Sequence, residues 1–405
     1  MSTFSCPVVR VASVENHPNA DRLSIIKLEG LGYTCISANL EDGSPRYAVG
    51  DYVVYIPSAS VLPEWLLKEM GFWNDEMGRG TLAGSNGDRV KPLKLRGIFS
   101  EGVLYPCSPA WDAASMESVG HMLAKEENGA TDSIPVQLNG DASTFLGITK
   151  YEPPIPVHLA GEVANLFDHT IRYDFERLES VPDMFTPGEL VVATEKLHGT
   201  FVAFGYVPGL NHPEMFGEHG DMIVHSKGLG AQGLVFKNNE ANAYNLYVKT
   251  LTKLLEDGLE AKLAALSDRH DGVPVAILGE IFGKGVQDLH YGTSEPEFRV
   301  FEIRVGDDYL SRDELGFAHL DVDLPEYGAT LGLPTVPVLY QGPFDVTELE
   351  KVRDGKTVVG GENIREGIVV RALVESHHDH HGRKVAKMIS PDYLLRKAKN
   401  ATEFT

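Results

Sequence analysis

From Val8 to Pro106 the chain alternates short apolar runs with turn-forming residues. VVRVASV, LSIIKLEG, TCISANL, DYVVYIP and VKPLKLRGIFSEGVLYP are rich in β-branched and aromatic side chains and are separated by Gly, Pro and Asn. Short strands at this spacing predict a small barrel or sandwich. Residues 112–160 are mixed and polar, with AKEENGATD reading as a loop, so a domain boundary is placed there, giving 1–145 and 146–405. Beyond it LVVATEK, VAILGEIFG, EFRVFEIRV, EGIVVRALV and RKVAKMI read as strands. The stretch 241–266 carries a helical period that runs through Gly258, and NHPEMFGEHGD (211–221) reads as a surface loop. No internal repeat is present. The pattern predicts an α+β chain with an N-terminal barrel and a second domain of antiparallel sheets and helices.

Composition changes this picture little. A length of 405 residues, 42% of them hydrophobic and 23% charged, suits a globular chain of two or three domains. No run of about 18 apolar residues predicts a membrane span, and no basic start with an apolar stretch reads as a signal peptide. Three cysteines, Cys6, Cys35 and Cys107, without a Cys-x-x-Cys pair argue against a disulfide framework and a zinc site, and favour a reducing cytoplasm. The net charge of -22 argues against a protein that coats DNA nonspecifically. A local basic groove still attracts phosphate, because salt screens charge beyond about 8 to 10 Å.

Candidate chemistry lies at the strand ends. In TEKLHGTF, Lys196 follows the apolar run and precedes Gly199, which offers a tight turn. A lysine there is either a salt-bridging residue at the edge of the core or a nucleophile. Glu280 sits between Gly279 and Gly283, Phe301-Glu302 lies in FRVFEIRV, Glu366 opens an apolar strand, and GRKVAKMISPDY carries Lys384 and Lys387. Each of these is ambiguous alone. HHDHH (377–381) reads as a hairpin loop, since adjacent histidines on a regular element do not face one point; adventitious nickel or zinc is the alternative.

The order of these pieces resembles the covalent nucleotidyltransferases, the superfamily of polynucleotide ligases and messenger-RNA capping enzymes. TEKLHGT, SKGLG (226–230), GEIFG, VFEI, EGIVV and KMISPDY look most like nick-sealing RNA ligases, over about residues 170–405. The resemblance implies an adenylyltransferase domain of the ATP-grasp-like kind. Its substrates would be ATP and a nicked duplex with a 3'-OH RNA end, acted on by a monomer with Mg2+ or Mn2+. Lys196 would attack the α-phosphate and carry AMP, split from the harder overall transfer by covalent catalysis. Lys384 and Lys387 would lower its pKa and neutralise phosphate charge. Glu366, with Glu302, would serve the metal through oxygen. Glu195 and Gly199 would help hold the nucleotide, Glu280 would contact the ribose, Phe301 would stack on adenine, and Arg172 or Arg177 would assist. His198 stands where many DNA ligases and capping enzymes carry Asp. The closing lysines have two residues between them where the family has one, which on a regular strand turns them to opposite faces.

NHPNADRLSIIKLEG (16–30) resembles the start of oligonucleotide-binding barrels of the tRNA-binding kind. Arg89 with Lys91 and Lys94 with Arg96 would line its groove, since alternate strand residues share a face. Only 18 residues follow Lys387, which leaves no room for the C-terminal barrel of DNA ligases and capping enzymes. The expectation is an ATP-dependent RNA ligase. A DNA ligase, a GTP-using guanylyltransferase and a non-catalytic nucleic-acid-binding protein remain the alternatives.

Overall fold

The computed structural model describes residues 4–109, 121–127, 129–151, 161–310 and 331–396. The chain divides into two compact units, Ser2–Glu152 with Leu178–Pro182, and Pro153–Arg177 with Asp183–Thr405.

The first unit is built on a five-stranded antiparallel sheet, in the order Val103–Pro106, Tyr52–Ile56, Val8–Asn16, Leu23–Leu28, Thr34–Ala38. The sheet curls until its edges approach. The Glu101 N–H donates to the Thr34 carbonyl at 2.9 Å and the Ile36 N–H to the Ser100 hydroxyl at 2.9 Å, so the barrel is nearly closed. Alternate residues explain why the strands read as continuous apolar runs. Val9, Val11, Val53 and Tyr55 fill the interior, while Val8, Val54 and Ile56 join a second core with Leu66 and Leu67 of the helix Glu64–Glu69. Cys6, Cys35 and Cys107 are buried free thiols. The segment AKEENGATD, expected as a loop, forms the arms of a hairpin, His121–Glu127 against Ala130–Pro135. Its polar composition reflects exposure of the outer arm and not absence of pairing.

The second unit contains two antiparallel sheets. One has four strands in the order Val338–Pro343, Leu190–Lys196, Gly367–Ala372, Val385–Ile389. The other has five, Met222–Ser226, Gly199–Tyr206, Val275–Gly283, Pro296–Val305 and Asp308–Tyr309. Only Leu197 and His198 link Lys196 of the first sheet to Gly199 of the second. Val202, Phe204, Ile277 and Ile281 point to one side of the five-stranded sheet, where Leu251, Leu254, Leu263 and Leu266 of two helices cover them. These helices are Leu246–Glu256 and Leu259–Arg269. The single helix expected over 241–266 is thus broken at Gly258, whose φ of 80° is the left-handed conformation that glycine adopts without steric cost. The loop 211–221 is not wholly superficial: Met215, Phe216 and Asp221 are buried, and Asp221 accepts from the Asn211 N–H at 2.9 Å. Among the described residues no helix is long and apolar enough to cross a membrane.

Candidate active site

The side-chain alternation of paired strands decides what meets Lys196. Opposed residues in an antiparallel pair share a face. Lys196 opposes Gly367, which opposes Ile389; Thr194 opposes Val369, which opposes Lys387; Val192 opposes Arg371. Lys196, Lys387 and Arg371 therefore project from one face of the four-stranded sheet. Gly367 is required by a close approach, since a Cβ there would collide with the Met388 carbonyl. From the five-stranded sheet Glu280 opposes Phe201, and Phe201 packs with Ala203, Leu278 and Phe301 on the side away from the helices.

The Lys196 ammonium donates to Glu366 Oε1 at 2.5 Å. Burial pulls the Lys196 pKa down, but the Glu366 and Glu280 carboxylates outweigh it and hold the amine above its usual value. Lys387 is the reverse case. Burial first, then the charge of Lys227 and farther down Lys196 and Arg177, bring it to about 7, against the pull of Asp174. Lys227 is itself paired with Asp174 at 2.9 Å. Glu280 is pushed up to about 8 by burial and, after the opposing pull of Lys196, by the neighbouring Glu366. The result is a cluster of three lysines with Glu280, Glu366 and the Lys227-paired Asp174. Its lysines suit an anionic ligand, and Glu280 with Glu366 is an oxygen donor set of the kind a hard cation takes.

His198 is buried behind the carboxylate. Its Nδ1 is hydrogen-bonded to the Tyr393 hydroxyl at 2.8 Å and lies 3.8 Å from Glu366 Oε2. Its Nε2 pairs with Asp288 at 2.6 Å, and Arg396 pairs with Asp288 at 3.1 Å. Against the cost of burial, hydrogen bonds from His198 and Arg396 hold the Asp288 carboxyl below its usual range.

Several expected residues stand elsewhere. Lys384 precedes the strand Val385–Ile389 and binds Glu189 at 2.9 Å, beside the start of the strand that ends in Lys196. Its carbonyl accepts from Ala372 and the Leu373 N–H donates to Leu190, which fixes it at the end of the sheet away from Lys196. The two-residue spacing explains the separation. Glu195 is one residue from Lys196 and so faces the other side of the sheet, where it accepts from the Val358 N–H at 3.0 Å and lies 3.8 Å from Arg365. Burial raises its pKa. Glu302, expected to serve the metal, is engaged by three protein donors. It accepts from the Tyr173 hydroxyl at 2.5 Å and pairs with Arg371 at 3.3 Å and Arg383 at 3.2 Å. Gly199 does not turn the chain; it opens a strand, and a Cβ there would strike the Ile281 carbonyl.

Phe301 is held by a bulge. Leu278 opposes Glu302 and Gly279 opposes Val300, leaving Phe301 unopposed. The bulge lets Phe301 and Glu302 reach the same neighbours: the Phe301 ring lies 5.5 Å from Tyr173 and 6.0 Å from Phe201. Of the two candidate arginines, Arg177 bridges Lys387 in parallel register, whereas Arg172 lies over the Phe167 ring at 5.7 Å. In the first unit Arg89 stacks on Tyr151 at 4.0 Å, Lys91 is half-buried, and Lys94 is exposed on the strand Leu93–Leu95. Arg96 has a φ of 47° in the turn after that strand, so the alternation expected to pair it with Lys94 does not extend to it.

A sequence model of the RNA ligase family matches residues 189–389. Residues 189–389 form an RNA ligase domain. Among curated proteins none matches it in sequence. Solved structures of Naegleria gruberi RNA ligase share the fold. An alanine variant with ATP and Mn superposes with a TM-score of 0.66 at 19% identity, covering 96% of this chain and 98% of that one. The form with PPi gives 0.65 at 20%, covering 97% and 98%. A methionine variant with AMP and Mn gives 0.65 at 20%, covering 96% and 97%.

Sequence reasoning about this RNA ligase missed Asp174, Asp288, Arg371 and Arg396. Each is a lone polar residue whose partner is distant in sequence, so no local spacing signals it. Lys227 and Tyr393 lay inside SKGLG and KMISPDY, motifs that carried the resemblance without a role for either residue.

Proposed function

We propose that the chain is an ATP-dependent RNA ligase that seals a 3'-OH/5'-phosphate nick through lysyl-AMP and an adenylylated 5' end. The observation that carries this reading is the Lys196–Glu366 contact at 2.5 Å, on the same face as Lys387 and within the segment that matches the RNA ligase family. Lys196 Nζ attacks the α-phosphorus of ATP, the new N–P bond replaces the bond to the bridging oxygen, and pyrophosphate leaves. The proton the amine must lose has an acceptor in contact, Glu366 Oε1. Lys387, with its pKa near neutrality, is uncharged in part before the nucleotide arrives and regains its charge against the phosphates. Glu366 and Glu280 are the carboxylates that would hold Mg2+ or Mn2+, which supplies neutralisation of the phosphate charge. Phe301 is a flat apolar surface for the base. The AMP then passes to the 5'-phosphate, the 3'-OH attacks that phosphate, and AMP leaves.

The unit of Pro153–Arg177 with Asp183–Thr405 is the ATP-grasp-like adenylyltransferase domain in this reading, and the unit of Ser2–Glu152 with Leu178–Pro182, a boundary slightly later than the expected 145/146, is an oligonucleotide-binding module that holds the nicked duplex. The near-closure of the barrel sheet and the exposed Lys94 and Arg96 support that role. The test is sealing of a nicked duplex by purified protein with ATP and Mg2+ or Mn2+, with ribose or deoxyribose at the 3' end. Sealing only of the ribose-ended nick is expected. Equal sealing of both moves the assignment to a general polynucleotide ligase, and no sealing of either contradicts it.

A further inference from the structure

Outside the ligase pocket, a second set of polar side chains converges where the sequence suggested only a loop. His378 and His381 belong to a short hairpin, His377–His378 paired with Gly382–Arg383. Asp183 comes from a segment far earlier in the chain. One donor atom from each of Asp183, His378 and His381 lies within 4.8 Å of the others. His381 Nε2 pairs with Asp183 Oδ1 at 2.9 Å, and the His378 and His381 rings stack with centroids 4.6 Å apart. His378 Nδ1 accepts from the His380 N–H at a long 3.2 Å.

The hairpin is not a free polyhistidine tail. Arg383 closes it with bonds to Glu375 at 2.7 and 2.8 Å and to Glu302 at 3.2 Å, and its guanidinium lies 3.6 Å from the centre of the Tyr309 ring. The histidines are half-buried and Asp183 is exposed, so the donors are partly ordered and still reachable from water. Two imidazoles and a carboxylate are the donor types of a zinc site with three protein ligands and one open position. Imidazole nitrogen favours zinc over magnesium, which takes oxygen.

We propose that Asp183, His378 and His381 form a zinc site separate from the pocket around Lys196, with water in the fourth position. Zinc replaces the His381–Asp183 hydrogen bond and the weak His378–His380 bond, and ties the hairpin that leads into the Lys387 strand to the Asp183 segment. Neutral imidazole is the ligating form, so binding releases whatever protons the histidines carry.

The test is competition for Zn2+ between the metal-free full-length protein and a chromogenic chelator, with Asp183→Ala, His378→Ala and the double variant His377→Ala/His380→Ala compared. One zinc per chain is expected, weakened about tenfold or more by Asp183→Ala and by His378→Ala and unchanged in the double variant. Circular dichroism without zinc checks that each variant folds, which surface changes of this kind permit. No zinc uptake, an Asp183→Ala protein that binds like the parent, or loss in the double variant equal to that in His378→Ala would overturn the site. The last two outcomes mean adventitious binding by adjacent histidines only.

Discussion

The residues at the pocket differ most in how they carry charge. Lys196 is held charged by Glu366, whereas Lys387, buried among like charges, sits at about 7. Well below pH 7 Lys387 is already charged, and binding of a triphosphate adds no proton to it. Above pH 7 the free site is increasingly neutral, so binding must draw in a proton, and affinity falls as pH rises. Calorimetry of ATP binding at pH 8 in two buffers of different ionisation enthalpy should therefore show uptake that Lys387→Met lacks. Equal uptake by the variant would contradict the charge assignment. The carboxylates divide in the same way. Glu366→Gln should raise the Mn2+ concentration needed for half-maximal adenylylation. Glu302→Gln should leave that concentration near the parent value and lower the melting temperature, because it leaves Arg371 and Arg383 short of a buried partner. A large Mn2+ effect in Glu302→Gln would restore it as a metal ligand.

At the scale of elements, the apolar runs made the sheets legible. LVVATEK, VAILGEIFG, EFRVFEIRV, EGIVVRALV and RKVAKMI all became strands. Period-two alternation was enough to separate Lys387 from Lys384, and the structure follows it there; the same alternation turns Glu195 away from Lys196, although the resemblance had set Glu195 beside the nucleotide. What a strand pattern does not contain is its irregularities. The bulge at Phe301 turns two consecutive residues toward common neighbours, and the break at Gly258 divides one apparent helix into two. The pairing of His198 with Asp288, and of that carboxylate with Arg396, depends on tertiary proximity alone. The polar hairpin His121–Pro135 buries Leu123 but little else of its arms, so hydrophobic periodicity had almost nothing to report.

For the whole molecule, a net charge of -22 means that attraction to nucleic acid must come from local cations. On the first unit Lys94 and Arg96 are exposed, while Arg89 is committed to Tyr151. If the barrel holds the substrate, Lys94→Ala/Arg96→Ala should weaken binding of a nicked duplex and reduce the slope of log affinity against log salt by roughly 1 to 2, about 0.9 for each phosphate that is no longer neutralised. An unchanged slope would place nucleic-acid binding elsewhere. The central claim concerns the second unit and is tested by incubating the protein with α-labelled ATP, or GTP in parallel, and a divalent cation, followed by a denaturing gel. Label should remain on the protein with ATP, vanish in Lys196→Ala, and be absent with GTP, while Lys196→Ala still seals a nick that already carries a 5'-adenylyl group. Label that persists in Lys196→Ala, or no label from a folded parent protein, would contradict the account.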